Sequence, residues 1–523
     1  MGVYLNPGND KFRRIINSEI YIDKTGLILY TNKVLDTQQQ NICVSRPRRF
    51  GKSMAANMLA AYYSRECDSK ELFKGLKIYE DKNFEKYLNK YDTIFLNMQE
   101  FLSQTENMTE MIELIRKSVL WELTAKYDDI RYFDNSNLTR SLQDIYLNTK
   151  IPFVIIIDEW DCIFREYKNN IDEQRKYLDF LRDLLKDKSY IHLAYMTGIL
   201  PIKKYGTHSA LNMFSEFSMT NPRQLTSYVG FTEDEVNELS ERYNISLSDL
   251  KEWYDGYHFG ENETIYSPKS VVEAVTSGIC DTYWNQTETF EALKMYIELN
   301  IDGLKDAVIS MMSGEKIPVN TATFANDMTT FCTKDDVMTL LIHLGYLGYD
   351  FQAKCVYIPN REVMTEYVNA ISLSQWGGIS VALKNSNEIL EAIWQNKPEK
   401  VASGIEQAHF ETSHIQYNDE NALSYTISVA LSPARKYYTV IREMPTGKGF
   451  ADMVYIPKKR FADKPAIVME LKWNKKAEGA IKQIKEKHYS EQIKAFSGEI
   501  LLVGINYDKK TKKHKCIIEK YQK

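Results

Sequence analysis

Two groups of residues in this chain have the types and spacing for phosphate chemistry. The first joins Gly51-Lys52-Ser53, in the stretch NICVSRPRRFGKS from Asn41 to Ser53, to Asp158-Glu159, which end the apolar run of FVIIIDEWD from Phe153 to Asp161. A nucleoside triphosphate needs backbone N–H groups and a lysine for its phosphates, a hydroxyl and an aspartate for Mg²⁺, and a further carboxylate to polarise water. On that chemistry Lys52 is expected on the β/γ-phosphates, Ser53 and Asp158 on Mg²⁺, and Glu159 on the attacking water. Arg49, Phe50, Gly51 and Met54 complete the ATP-binding set around the loop. Thr197, in the small polar pair that ends the strand IHLAYM (Ile191–Met196), stands where a γ-phosphate sensor would.

The loop departs from the usual G-x-x-x-x-G-K-[ST]. Arg46 stands at the leading glycine, and Pro47 removes one backbone donor. A chance GKS at a helix start and a site that binds without hydrolysing are the rival readings. Arg46, Arg48 and Arg49 read equally as charge beside phosphate or as surface arginines.

The second group is Asp452, in FADMVYI (Phe450–Ile456), with Glu470 and Lys472, in AIVMELKW (Ala466–Trp473). Side chains alternate along a strand, so Glu470 and Lys472 share a face while Leu471 turns to the core. Asp452, early in the neighbouring strand, can point to the same spot. Two carboxylates and a backbone carbonyl make a hard oxygen site for Mg²⁺ or Mn²⁺, and the lysine can orient or deprotonate a water for attack on a phosphodiester. An exposed Glu/Lys pair on a solvated strand is the bland alternative. His258, His343, His409 and His414 show no metal-ligand spacing.

The elements that must position these groups follow from periodicity. Strands at Thr93–Met98, Phe153–Ile157 and Ile191–Met196 join the one before Gly51, with helices at Gly26–Asp36, Met108–Tyr127 and Asn170–Lys186 between them. Strands alternating with helices predict parallel pairing. From Gly230 the pattern turns helical, with a capping box at Thr232 and Glu235. A Tyr/Gly-rich knot, WYDGYHFG (Trp253–Gly260), reads as a packed turn, and a small hairpin is expected at Tyr346–Phe351 and Cys355–Ile358. A lid or winged-helix-like module fits this stretch. After SQWGG (Ser374–Gly378), helices are expected at Asn387–Asn396, Pro398–His409 and Asn418–Leu431. Strands at Tyr437–Glu443, Phe450–Ile456 and Ala466–Trp473, a helix at Lys475–Phe496, and strands at Ile500–Tyr507 and His514–Tyr521 complete the chain. The whole reads as α/β in three domains: 1–228 around the loop, 229–380 mainly helical, and 381–523 around the second group.

Composition sets the outer bounds. Of 523 residues, 44% are hydrophobic and 26% charged, as in soluble globular proteins. No apolar run approaches the roughly 20 residues that cross a bilayer, so no membrane partner is expected. The start, MGVYLNPGNDKFRR, predicts no secretory leader, and seven scattered cysteines suit a reducing cytoplasm. Residues 451–523 carry 18 Lys+Arg against 9 Asp+Glu, a net +9, which leaves −14 on the rest of a chain whose total is −5. A basic end on an acidic body suits a phosphate polymer, although a lysine-rich solvated face gives the same count.

The ordered blocks YIDKT (Tyr21–Thr25), RPRRFGKS, IIIDEWD, MTG, GFTEDEV and WYDGYHFG resemble the bacterial and archaeal AAA-ATPase-like family. In that family the leading loop glycine is also replaced, which makes Arg46 a family feature, and a C-terminal PD-(D/E)XK nuclease-like domain is common. Asp452 with Glu470-Leu471-Lys472 resembles the core motif of that nuclease superfamily. The resemblance also implies accessory roles for Glu420 on a preceding helix and for Gln483 and Tyr489 on the following one. The expectation is an ATP- and Mg²⁺-dependent ATPase coupled to a metal-dependent nuclease acting on nucleic acid, DNA in the first instance. The alternatives are a regulatory NTPase switch whose last domain binds DNA or partners without cutting, and a defence or mobile-element NTPase whose output is homo-oligomerisation.

Overall fold

Burial on both faces makes the front sheet a parallel one. In this computed structural model, β1 (Asn41–Ser45), β2 (Asp92–Asn97), β3 (Phe153–Asp158), β4 (Ile191–Gly198) and β5 (Ser215–Phe217) form a five-stranded sheet. Its order is β2-β3-β4-β1-β5 and every pairing is parallel. All six residues of β3 are buried, as a run of β-branched side chains flanked on both sides demands. The structure describes residues 2–521 apart from 203, 206–207, 210, 260–262, 285–288, 300, 326–330, 373–377, 412–422, 425–426, 429, 432–433, 435–436, 447–448, 459–460 and 487–498. The strand order decides where a ligand can sit. The chain leaving β1 runs toward the β2 edge, whereas the chain leaving β4 runs toward the β5 edge, so a crevice opens between the carboxyl ends of these two neighbours.

Helices between the strands are amphipathic. In the helix Met108–Lys126 the buried Met108, Met111, Ile112, Ile115, Val119 and Leu123 follow a helical stripe, and Asn107 caps its start by accepting from the Glu110 N–H at 3.0 Å. β5 has no counterpart in the expected strands. Ser215-Glu216-Phe217 is three residues long and has no β-branched side chain, so only its pairing with Ile42–Val44 makes it a strand.

By its contacts the chain divides into two units. Met1–Gln286 and Pro318–Val363 form one, and Thr287–Ile317 and Met364–Lys523 the other. The stretch 229–380, read as one helical module, is thereby shared between both. Besides helices it holds the expected hairpin, at Gly348–Asp350 and Cys355–Tyr357, and a three-stranded sheet of Phe231–Thr232, Thr264–Tyr266 and Tyr257–His258. In the WYDGYHFG stretch, read as a packed turn, Trp253 and Tyr254 end the helix Leu247–Tyr254 and Tyr257–His258 form a short strand, while residue 260 lies outside the described residues. Gly256 adopts φ 107°, and a Cβ there would lie 2.1 Å from the Pro359 carbonyl oxygen. Gly256→Ala therefore meets both a left-handed backbone and a fixed wall, and is expected to destabilise the front unit by about 2 kcal/mol or more. A urea titration measures it.

The rear unit is built on a mixed sheet. Strands β6 (Tyr438–Thr446), β7 (Gly449–Pro457), β8 (Ala466–Trp473), β9 (Ile500–Asp508) and β10 (Lys513–Lys520) lie in sequence order, antiparallel except for β8 with β9. Met453, Tyr455, Ile467, Met469 and Leu471 face one core together with residues of helices Gly378–Trp394 and Pro398–Glu411. Val454, Ala466, Val468 and Leu502 face another, against Ile481 and Ile484 of a helix spanning Ala477–Glu486. Gly504 permits that approach, since a Cβ there would lie 2.8 Å from the Ala477 carbonyl oxygen. The helix expected at Asn387–Asn396 is longer toward its start, spanning Gly378–Trp394, and 373–377 lie outside the described residues. The hairpin positions 447–448 and most of the helix expected at Asn418–Leu431 lie outside them too.

Candidate functional site

The first group converges at the carboxyl ends of β1, β3 and β4. Gly51, at φ 90°, turns the loop into the helix Lys52–Tyr63, and nothing lies within 4 Å of the place a Cβ would take. Arg49 is also left-handed, at φ 68°. Lys52 is buried and donates from Nζ to the Pro47 carbonyl at 2.9 Å. Burial holds its pKa below the usual lysine value, opposed by Glu159, Asp161 and Asp158. Ser53 and Met54 are exposed on the first turn of the helix.

Asp158, buried at the end of β3, accepts from the Thr197 hydroxyl and from the Glu159 N–H at 3.1 Å. Thr197 therefore braces Asp158 here. Glu159 stands at φ 55° with its carboxylate paired to the Arg165 guanidinium. Asp161 accepts from the Ile199 and Leu200 N–H groups at 3.1 and 2.9 Å, which fastens the chain after β4 to the chain after β3. Burial pushes the Asp161 carboxyl up, with Arg165 opposing. Gly198 is required at this crossing, because a Cβ would lie 2.6 Å from both Asp161 Oδ1 and the Trp160 ring. Neither Asp161 nor Arg165 was singled out from sequence, although Asp161 closes the DEWD motif and Arg165 lies on the same face of the following turn.

The arginines of the loop separate. Arg46 is fully buried, donating to the carbonyls of Ser45 and Phe217 at 3.0 and 3.2 Å and lying over the Phe259 ring at 5.2 Å. Burial lowers its pKa to about 10. The residue at the leading-glycine position thus braces β1 against β5. Arg49 donates to the Tyr283 carbonyl at 2.9 Å. Phe50 is buried between Tyr257 and Trp284, with ring centroids 5.4 and 6.2 Å away, so only its backbone is available to phosphate. In the YIDKT block, Asp23 accepts from the N–H groups of Thr25 and Lys77 at 2.8 and 2.7 Å. Lys24 pairs with Glu235 and donates to the Ser227 carbonyl, so both residues act as ties in the fold.

Three acids, Asp158, Glu159 and Asp161, stand against two bases, Lys52 and Arg165, a formal charge of about −1 in this crevice. With the Ser53 hydroxyl exposed beside it, that set of hard oxygens and one lysine suits Mg²⁺ and a polyphosphate.

In the rear unit the second group also converges. Asp452 Oδ2 accepts from the Leu471 N–H at 2.6 Å, which sets the two strands edge to edge at that point. Glu470 is buried, and its Oε1 accepts from Lys472 Nζ at 3.0 Å and from the Gln483 amide. Met453 pairs with Met469 in register, so Asp452 and Glu470 alternate onto the face that carries Val454 and Val468. Leu471 lies in the opposite core, as alternation requires. Gln483 reaches the site from the covering helix. Glu420 and Tyr489 lie outside the described residues. Asn506, in register with Lys472, was not foreseen, and its side chain accepts from the Lys475 N–H at 3.0 Å. No cluster of three or more His, Cys, Asp or Glu suited to a metal occurs among the described residues. Two carboxylates still fit Mg²⁺, which keeps several waters when bound.

A lysine-bearing loop after the first strand of a β2-β3-β4-β1-β5 parallel sheet, facing paired acids at the end of the third, is the arrangement of a P-loop fold. Residues 7–207 match the family described as predicted AAA-ATPase, and residues 418–516 match the PD-(D/E)XK nuclease superfamily. An uncharacterized protein in the vnfD 5′ region of Azotobacter chroococcum mcd 1 is 21% identical over 280 residues, 51% of this chain and 51% of that one. The match thus spans about half the length of that curated relative. The Walker-type ATPase of Pyrococcus abyssi is similar at a TM-score of 0.35 and 11% identity, over 66% of this chain and 94% of that one. The Aeropyrum pernix ORC2 protein, in ADPNP-ADP complexes, is similar at 0.32 and 13%, over 68% and 97%. No helix among the described residues is long and apolar enough to cross a membrane.

Proposed function

We propose that the front site binds and hydrolyses ATP with Mg²⁺ and that the rear site is a metal-dependent nuclease acting on nucleic acid, DNA in the first instance. Lys52 and the backbone N–H groups from Arg49 to Met54 hold the phosphates. Ser53 and Asp158 hold the metal, Thr197 keeps Asp158 oriented, and Glu159 polarises the water once it parts from Arg165. In the rear site Asp452 and Glu470 hold Mg²⁺ or Mn²⁺, which supplies charge stabilisation for the phosphodiester, while Lys472 orients the attacking water and Gln483 fixes Glu470. The division of labour is an ATPase in 1–228, a mainly helical lid or middle module in 229–380 and a nuclease in 381–523, in a protein of the cytoplasm.

The observation that carries this reading is the meeting of Asp452, Glu470 and Lys472 on one face of one sheet, within a segment that matches the nuclease superfamily. The test is incubation of the full chain with plasmid and linear DNA, with Mg²⁺, with Mn²⁺ and with chelator. Cleavage that depends on the metal is expected. Tight binding without cleavage in either metal would instead assign the rear domain to a regulatory role.

A further inference from the structure

The exposed lysines along β8, β9, β10 and the turns that follow them differ in what they meet among the described residues. Lys485, Lys515 and Lys520 are each paired with an acid, Glu519, Glu478 and Glu499 respectively. Six others, Lys475, Lys476, Lys509, Lys510, Lys512 and Lys513, are exposed, and none has a carboxylate within ion-pair distance among the described residues. The one acid at the hairpin between β9 and β10, Asp508, is engaged by the backbone, accepting from the N–H groups of Lys510 and Thr511 at 2.8 and 3.0 Å. These bonds hold its carboxyl below the usual range and keep the turn in shape.

The six lysines occupy one place. Asn474 accepts from the Lys509 N–H at 2.7 Å, and Asn506 from the Lys475 N–H at 3.0 Å, so the turn after β8 and the root of the hairpin are stapled together. Register puts this cluster beside the rear site. Lys472 is level with Asn506, and Asn506 with Lys515; two residues further along, Asp508 is level with Lys513. In-register partners share a face, so Lys513 stands on the face of Glu470 and Lys472, one row beyond them. With strands about 4.8 Å apart and a rise of about 3.3 Å per residue, the backbones of Lys472 and Lys513 are roughly 12 Å apart. That is about three to four nucleotides of one strand at 3.4 Å each.

We propose that the Lys509–Lys513 hairpin, with Lys475 and Lys476, is a docking surface for the phosphate backbone of the nucleic acid that enters the Glu470/Lys472 site. The inference rests on the nuclease reading for what the surface serves, but binding and cleavage are measured separately. The surface is sequence-blind, because lysines that meet phosphates carry no base information. It accounts for why these lysines are unpaired while those further along the same strand are not.

The test is the affinity of the full chain, in chelator, for a short fluorescent DNA duplex across a salt series. Lys475→Gln/Lys509→Gln/Lys512→Gln/Lys513→Gln is expected to weaken binding at least about 10-fold near 100 mM salt and to reduce the slope of log K on log salt by about 3 to 4. Removing the same charge from the front unit, at Lys70, Lys74, Lys86 and Lys117, is expected to change neither. Unchanged affinity and slope in the hairpin variant, or an equal loss in both variants, overturns the proposal. So does loss of binding to anionic lipid vesicles with DNA affinity intact, which assigns the surface to a membrane. Cleavage by the wild type with no hairpin effect ends this proposal alone, and a hairpin effect with no cleavage in any metal ends the nuclease reading alone.

Discussion

Glu470→Gln is expected to abolish the proposed metal-dependent cleavage, a loss of about 10³-fold or more, because it would remove both a metal-holding charge and the partner of Lys472. The second effect complicates the first. Lys472 is only 8% exposed and its ion pair is with Glu470, so the single variant leaves a buried cation uncompensated, at about 3–5 kcal/mol. The double variant Glu470→Gln/Lys472→Met separates the two, since it removes both charges together. Stability is expected to return toward the wild type while cleavage remains lost. Thermal unfolding and a plasmid-nicking assay read the two quantities on the same preparations. Recovery of cleavage in the double variant, or equal cleavage by wild type and Glu470→Gln, would remove Glu470 from the reaction.

The second large effect concerns the front site. Glu159→Gln is expected to lower ATP turnover by about 10²- to 10⁴-fold with nucleotide binding retained, whereas Lys52→Ala loses binding itself. The distinction follows from geometry. Lys52 lies in the crevice with its ammonium on the Pro47 carbonyl, a neutral partner that a phosphate displaces readily. Glu159 is held by Arg165, so the carboxylate reaches water only when that pair opens. Steady-state hydrolysis together with equilibrium binding of a fluorescent ATP analogue distinguishes the two variants. Normal turnover by Glu159→Gln would transfer the role of base to another group.

Much of the site was legible because its parts are local. Gly51-Lys52-Ser53 needs only a strand before it and a helix after it, and the β-branched run that ends at Asp158-Glu159 can only be a buried strand. Glu470 and Lys472 share a face by alternation alone, whichever strands lie beside them. The helix after them was expected at Lys475–Phe496; Ala477–Glu486 form one, and 487–498 lie outside the described residues. What sequence could not supply was the identity of neighbours brought together from distant parts of the chain.

Arg46 illustrates the limit. Its side chain read equally as phosphate-side or surface charge, and it is neither, because β5 lies beside β1 and its Phe217 carbonyl receives the guanidinium. That strand is too short and too polar to be seen without its partner. Arg165 meets Glu159 only because Glu159 turns through a left-handed conformation at the end of β3. Asp452 meets the Leu471 N–H only because β7 and β8 are antiparallel in one register; a slip of one residue would carry it to the opposite core. Residue types and local period therefore determined which functional groups share a loop or a strand face in this protein, since those depend on sequence spacing and on the pitch of a helix or strand. Which partners restrain those groups was decided by strand order and register, because pairing across the sheet is set by burial summed over the whole fold.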